Sequence, residues 1–290
     1  MTGHSRGPCS TGLRRARVRA PMAAALLCLL ALPSGSPHAQ VLAMVSPTQA
    51  QITVKPNEGS SRDVTVSNLG ATPVRVRVRL SDWTLSERGE IGLAALGTTA
   101  GTLQGALQFS PAEFALASGE SRRIQVTANL PGAGPATRWG MLLCQVRSQA
   151  AASDEIGPRA ATELGTTLFV SSIPPDDVHA EIIGLTAAAL GPDSIQITAR
   201  VRNTGLRQIV VSGEAALADS GGVRLGGGTM TSGLVMPGAS RYFQWTGHAR
   251  FAPGGCLATA TLDGGEPELL VGETRFVPPG AGAPTAEKTP

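Results

Sequence analysis

Aromatic residues make up only 3% of this 290-residue chain, with three Trp, one Tyr and six Phe. Its cores must therefore be built from Val, Leu, Ile and Ala, and a carbohydrate-binding module with exposed aromatic platforms has few residues to draw on. The four His are equally limiting. Past the first forty residues only His179 and His248 remain, in different segments and without ligand spacing, so no zinc site is indicated. No Ser sits in a Gly-x-Ser-x-Gly elbow, and Gly226-Gly227-Gly228 lacks the Lys and Ser/Thr of a phosphate loop and reads as a flexible hairpin turn. Asp176-Asp177 has too few oxygen ligands around it for a calcium loop. No catalytic residue, metal or cofactor is expected, and the chain does not read as an enzyme.

Acidic residues are missing from the first 39 positions, which carry five Arg. Arg14, Arg15, Arg17 and Arg19 form a basic stretch ahead of the apolar run Met22 to Leu32, which is too short to span a bilayer. This reads as a signal peptide over residues 1–39, with cleavage after Ala39, and it places the mature protein in the periplasm. Leu27 precedes Cys28 where a lipoprotein signal wants Gly or Ala, and Arg14-Arg15 lacks the rest of a twin-arginine signal. A chain of net charge +3 that loses five Arg becomes −2, so the basic pI belongs to the signal and nucleic acid is not an expected partner. No later run is long and apolar enough for a span, so no membrane insertion is expected after cleavage. Cys9 and Cys28 leave with the signal. Cys144 and Cys256 remain and could pair in an oxidising compartment, but each stands in an apolar strand-like run of a different half, and two buried free thiols is the preferred reading.

What the chain has is repetition. Val66-Ser67-Asn68-Leu69-Gly70 recurs as Val201-Arg202-Asn203-Thr204-Gly205, and Gly119-Glu120-Ser121-Arg122 recurs as Gly238-Ala239-Ser240-Arg241, in the same order in each half. One β-domain used twice is the implication. Period-two alternation supports it: Val74, Val76, Val78 and Leu80 are interleaved with Arg75, Arg77 and Arg79, and Ile195, Ile197, Ala199 and Val201 alternate likewise. Strands are also predicted over Ser46 to Lys55, Asp63 to Ser67, Phe109 to Leu116, Arg123 to Leu130, Arg138 to Arg147 and Leu164 to Ile173. Domain 2 adds Ile209 to Val211, Tyr242 to Trp245, Cys256 to Leu262 and Leu269 to Phe276. The fold class is all-β, two immunoglobulin-like Greek-key β-sandwich domains in tandem. The first is expected over 40–175, with the polar loop Ser148 to Arg159 inside it. The hinge falls at Ile173-Pro174-Pro175-Asp176-Asp177, the second domain covers 178–277, and a Pro/Ala/Gly tail, expected to be disordered, occupies 278–290.

The order of elements in domain 1 resembles the periplasmic pilus-assembly chaperones, the PapD-like family. The resemblance is carried by Val45-Ser46-Pro47-Thr48, Val64 to Asn68, Val76 to Asp82-Trp83, Phe109-Ser110-Pro111 with Phe114-Ala115-Leu116, and Gly119 to Val126 with Leu130-Pro131. It implies a chaperone that donates a β-strand to a pilus or surface-fibre subunit with an incomplete β-sandwich. The implied donor strand is Leu164 to Val170, with Leu164, Leu168 and Val170 filling pockets and Thr166 a poor plug in the same register. The family anchors the subunit's terminal carboxylate with an Arg of the first strand and a Lys of the donor strand. Ser46 to Val54 and Ala160 to Pro175 contain no basic residue, so that clamp is absent or rebuilt. Arg122 and Arg123 are the candidate anion or partner contacts, against the simpler reading of a wet strand face.

The Arg75/Arg77/Arg79 row reads as a solvated face in preference to an anion patch. Trp83 and Trp139 are expected as core plugs of domain 1 and Trp245 as their equivalent in domain 2. The alternative to a chaperone is a non-catalytic structural or adhesive module. The two differ at Leu164 to Val170, which a chaperone needs as an open edge and a module should cover.

Overall fold

The computed structural model describes residues 42–55, 58–130, 136–149, 161–172, 178–251 and 254–278. The expected signal peptide, the expected hinge at 173–177, most of the expected loop after Ser148 and nearly all of the expected tail lie outside these residues. All eighteen elements described are strands. The first ten are β1 (Ala43–Ser46), β2 (Gln49–Thr53), β3 (Ser60–Asn68), β4 (Val74–Leu85), β5 (Ile91–Ala94), β6 (Leu107–Ser110), β7 (Glu113–Leu116), β8 (Ser121–Ala128), β9 (Thr137–Ser148) and β10 (Ala161–Ser171). They form two sheets. One orders β1-β3-β8-β6, and the other orders β2-β10-β9-β4, with β7 and β5 along successive parts of the far edge of β4. Neighbours distant in sequence, such as β3 and β8, give the crossing connections of a Greek-key sandwich.

Side-chain alternation decides which way each strand faces. Along β4, Val74, Val76 and Val78 point inward and Arg75, Arg77 and Arg79 outward. Val64 and Val66 of β3, Ile124 and Val126 of β8, and Leu142 and Val146 of β9 complete a core without solvent contact. Each such side chain contributes about 1.5–3 kcal/mol on burial. Two expected strands are each divided at a proline. The run from Ser46 to Lys55 splits at Pro47, where the chain leaves one sheet as β1 and joins the other as β2; Phe109 to Leu116 splits the same way at Pro111, between β6 and β7. Proline has no N–H for a ladder, so the sheet change falls there.

The second sandwich uses β11 (Ala180–Ala189), β12 (Ser194–Asn203), β13 (Ile209–Ala218), β14 (Arg224–Thr229), β15 (Gly233–Val235), β16 (Ser240–His248), β17 (Cys256–Asp263) and β18 (Leu270–Phe276). The sheet β11-β12-β16 faces β14-β13-β17-β18, with β15 on the first part of β13. Ile195, Ile197, Val211, Leu217, Phe243 and Leu262 fill its core, with Trp245 packed against them. Gly226-Gly227-Gly228 is not a turn but the middle of β14. The glycines are needed for close approach: a Cβ on Gly228 would lie 2.8 Å from the Trp245 indole nitrogen, and one on Gly226 2.9 Å from the Ala249 Cβ.

The repeated phrases turn out to be two halves of one hydrogen-bonded unit. Asn68 is wholly buried. Its Nδ2 donates to the carbonyls of Thr72 and Ala117, each at 2.9 Å, and Leu116 at 3.4 Å, while its Oδ1 accepts the Gly70 N–H at 3.1 Å. Its main chain pairs with the second phrase, donating to Glu120 and accepting from Gly119. Asn203, also buried, repeats the pattern. Its Nδ2 donates to Arg207 and Val235 carbonyls at 2.6 and 3.0 Å, its Oδ1 accepts Gly205 N–H at 2.9 Å, and its main chain pairs with Ala239 and Gly238. Gly119 and Gly238 have φ of +74° and +71°, conformations that glycine adopts without strain.

Cys144 lies in the first core and Cys256 in the second, both buried and free. Burial pushes the Cys144 thiol from 9.0 up to about 11.

Two predictions follow from these cores. Asn68→Ala and Asn203→Ala each leave buried carbonyls without a donor, and urea titration should show a loss of about 3 kcal/mol for either. Cys144 keeps its proton in the folded state while the unfolded thiol ionises, so its contribution is intact below pH 9.0 and is lost as pH rises toward about 11. The loss should be on the order of 2 kcal/mol and absent from the Cys144→Ala protein, read as the difference between their stability–pH curves.

Candidate functional site

β10 pairs with β9 along its whole length, from Ala161 opposite Arg147 to Ser171 opposite Thr137. On its other side β2 runs parallel to it, but only over Thr167–Ser171. Main-chain groups alternate sides along a strand. Thr167 N–H donates across this edge to the Thr48 carbonyl at 2.9 Å, so odd-numbered residues face it. Ala161, Glu163 and Gly165 therefore present their N–H and C=O groups at an edge that no strand occupies among the described residues.

The side chains of β10 correct the expected donor set. Leu168 and Val170 have no solvent exposure and belong to the core of their own sandwich. Thr166 is equally buried, and its hydroxyl donates to the Pro47 carbonyl at 2.9 Å. Only Leu164 is partly open, packed against the rim of that core. The apolar alternation that marks a pocket-filling strand also marks a core-facing one, and here it faces the core. On the opposite face Glu163 accepts from Arg79 at 3.0 Å.

Arg122 and Arg123 stand apart from this edge. They belong to β8, in the other sheet, and both are exposed. The Arg122 guanidinium lies 5.6 Å from the Phe114 ring centroid, and Arg123 lies 3.8 Å from Asp63. Arg75 and Arg77 share Glu113 at 3.6 and 4.0 Å. Exposed pairs of this kind contribute about 0–1 kcal/mol.

Trp83 and Trp139 are not plugs of the first core. They lie on the outer face of the β10-β9-β4 sheet, where Trp83, Phe169 and Met236 form a separate buried cluster flanked by Trp139, Met141 and Leu234. Met236 and Leu234 come from the second sandwich, so these aromatics join the two. Trp83 and Phe169 meet edge to face, with centroids 6.0 Å apart, and Trp139 Nε1 donates to the Trp83 carbonyl at 3.2 Å. Asp82, buried beside Trp83, supports the arrangement. Its Oδ2 accepts the N–H groups of Gly97, Thr98 and Thr99 at 2.9–3.0 Å, and its Oδ1 accepts the Thr102 hydroxyl at 2.7 Å. The loop so held brings Gly101 under the Trp139 ring, where any Cβ would lie within 2.5 Å of it.

Polar contacts lock the same junction. Glu87, in the β4–β5 hairpin, binds Arg200 of β12 through its side chain, and its carbonyl accepts the Tyr242 N–H at 2.8 Å. The Glu87 hydrogen bond raises the Arg200 pKa. Arg207, itself buried, reaches Gln51 of β2 at 3.4 Å. Glu87 and Arg200 are separated by 113 residues, and no local pattern announces the pair. Among the described residues no group of three or more His, Cys, Asp or Glu could hold a metal ion. His248 lies 3.4 Å from Asp193, with both side chains exposed.

No protein-family model and no curated protein matches the chain. Solved structures similar to it include the class 5 fimbriae chaperone CfaA, at 14% identity and a TM-score of 0.43, covering 82% of this chain and 100% of that one. The CsuC–CsuE chaperone–tip adhesion subunit complex of Acinetobacter baumannii is similar at 12% identity and 0.43, covering 82% and 99%. The CupB2 chaperone of Pseudomonas aeruginosa is similar at 13% identity and 0.40, covering 81% and 100%. Likeness at this level assigns no activity to the chain.

The junction cluster is testable by itself. Met236→Ala removes the second sandwich's plug over Trp83 and should cost about 2–3 kcal/mol in urea titration. Tryptophan emission should shift to longer wavelength in the folded variant as Trp83 gains water.

Proposed function

We propose that this chain is an exported periplasmic chaperone for pilus or surface-fibre subunits, acting by β-strand pairing at the open half of β10. The observation that carries this reading is the row of main-chain groups at Ala161, Glu163 and Gly165, which no strand pairs among the described residues, beside a half-strand that β2 already covers. A subunit with an incomplete sandwich would pair its exposed backbone with this row, each hydrogen bond contributing about 0.5–1.5 kcal/mol net. Leu164 is the one side chain of the expected set left to enter a partner's pocket. Neither β2 nor Ala161–Ser172 carries a basic residue, so a carboxylate clamp made by those strands is not part of the mechanism. Pairing alone supplies the free energy, with no nucleotide or cofactor.

A second reading, a structural or adhesive module, is favoured by the covered half of the strand: Thr167–Ser171 is paired, and Leu168 and Val170 are committed to the core.

Glu163→Pro separates the two. It removes an edge N–H without touching the β9 ladder, and proline is tolerated at an open edge. The parent protein should co-purify small β-rich subunits from a periplasmic extract of its own source. Glu163→Pro should lose them while keeping the parent's circular dichroism spectrum and thermal midpoint, and Arg123→Gln should retain them. Equal capture by Glu163→Pro, or no capture by a folded parent, would give the module reading precedence.

A further inference from the structure

Where the β4–β5 hairpin meets the second sandwich, Arg88 lines a cleft of about 650 Å³ together with Arg241 and Tyr242 of β16. Thr198 of β12, Thr231 and Ser232 between β14 and β15, and Gln244 of β16 form the other walls, and no acidic residue lines it. The nearby carboxylate, Glu87, is taken by Arg200. Among the described residues neither Arg88 nor Arg241 forms an ion pair, and the one hydrogen bond of the Arg241 side chain goes from Nη1 to the Leu234 carbonyl at 2.9 Å.

Arg241 is held in place as well as uncompensated. A Cβ on Gly89 would lie 2.3 Å from one of its terminal nitrogens, and a Cβ on Gly233 2.4 Å from the other. The two glycines thus admit the guanidinium between the hairpin and β15, and its carbon sits 5.7 Å from the Phe243 ring centroid. A fixed cation, a second cation and several hydroxyl groups in one partly enclosed lining concentrate positive potential there.

We propose that this cleft binds a tetrahedral oxyanion, a phosphate or sulfate, either free or as an ester on a sugar. Donors approach from several sides: guanidinium groups from Arg88 and Arg241, hydroxyls from Thr198, Ser232 and Tyr242, and the Gln244 amide. A planar carboxylate has two oxygens to meet them, whereas a tetrahedral anion has three or four. Arg88 belongs to the first sandwich and Arg241 to the second, so the bound anion bridges them and stabilises the folded chain increasingly with the logarithm of its concentration. The site shares no residue with the β10 edge, and its test is independent of strand pairing.

The test is a titration of the ¹⁵N-labelled protein with inorganic phosphate, with sodium chloride at matched ionic strength as the reference, followed by glucose 6-phosphate. The expected result is saturable shifts of the Thr231, Ser232 and Gln244 amides. Affinity should fall about tenfold or more in Arg88→Gln, whose exposed side chain is not needed for folding, and stay unchanged in Arg123→Gln. Tighter binding of glucose 6-phosphate identifies an ester as the ligand, and equal binding identifies the free ion. No saturation by about 50 mM, or unchanged affinity in Arg88→Gln, overturns the proposal.

Discussion

A buried asparagine at the end of an early strand organises each sandwich. Asn68 and Asn203 both leave their strand for a turn, and both must cross a region where strands of the two sheets come together without a ladder between them. The side-chain amide takes over what the ladder cannot do. Its nitrogen satisfies carbonyls from segments 32 to 49 residues away, and its oxygen closes the local turn. A buried carbonyl without a donor costs about 1–3 kcal/mol, so the amide is a condition on the strand order as well as an added contact. The glycine turn that completes the unit must take a positive φ, which explains why Gly119 and Gly238 recur in step with the asparagines.

That unit was legible in the sequence because it is local in two pieces: each piece has its own turn chemistry, and the pieces recur in order. The sandwich strands were legible because Val–Arg alternation in β4 and Ile–x–Ile alternation in β12 each have one buried face. Alternation does not say against what a face is buried. Leu164, Thr166, Leu168 and Val170 satisfy the pattern for a core equally well as for a partner's groove, and the core took all but Leu164. Trp83 was legible as buried, but the surface covering it comes from Met236, beyond the reach of any periodicity. Glu87 with Arg200, and Arg207 with Gln51, were not legible at all, since a long-range polar pair leaves no mark on either local segment.

The junction between the sandwiches has a physical character different from either core. Each core is continuous and mostly aliphatic, with a few Phe rings, and Trp245 in the second, among the Val, Ile, Leu and Ala side chains. The junction places much of this aromatic-poor chain's ring area on an outer sheet face, as Trp83, Trp139 and Phe169, and surrounds it with charged contacts from Arg200 and Arg207. Rings offer large contact area for few rotatable bonds. Asp82 is buried directly behind, ordering the loop that supports Trp139, so the rings stand on a prepared base.

The length of the open edge on β10 follows from where one strand ends. The chain leaves the first sheet at Pro47 and has only Gln49–Thr53 with which to flank β10, so the cover stops at Thr167. Because the two strands are parallel, a β2 that began earlier would close the edge, and a later sheet change would lengthen it. What remains is short, with Glu163 at its centre, and that carboxylate is turned to the outer face and paired with Arg79. Charge on an edge strand opposes indiscriminate pairing with other edges. The charge sits on the outer face, while on the inner face Leu164 is only partly covered by the core. The edge is thus charged on one face and apolar on the other, a difference that lies in its side chains and not in the main-chain groups of Ala161, Glu163 and Gly165.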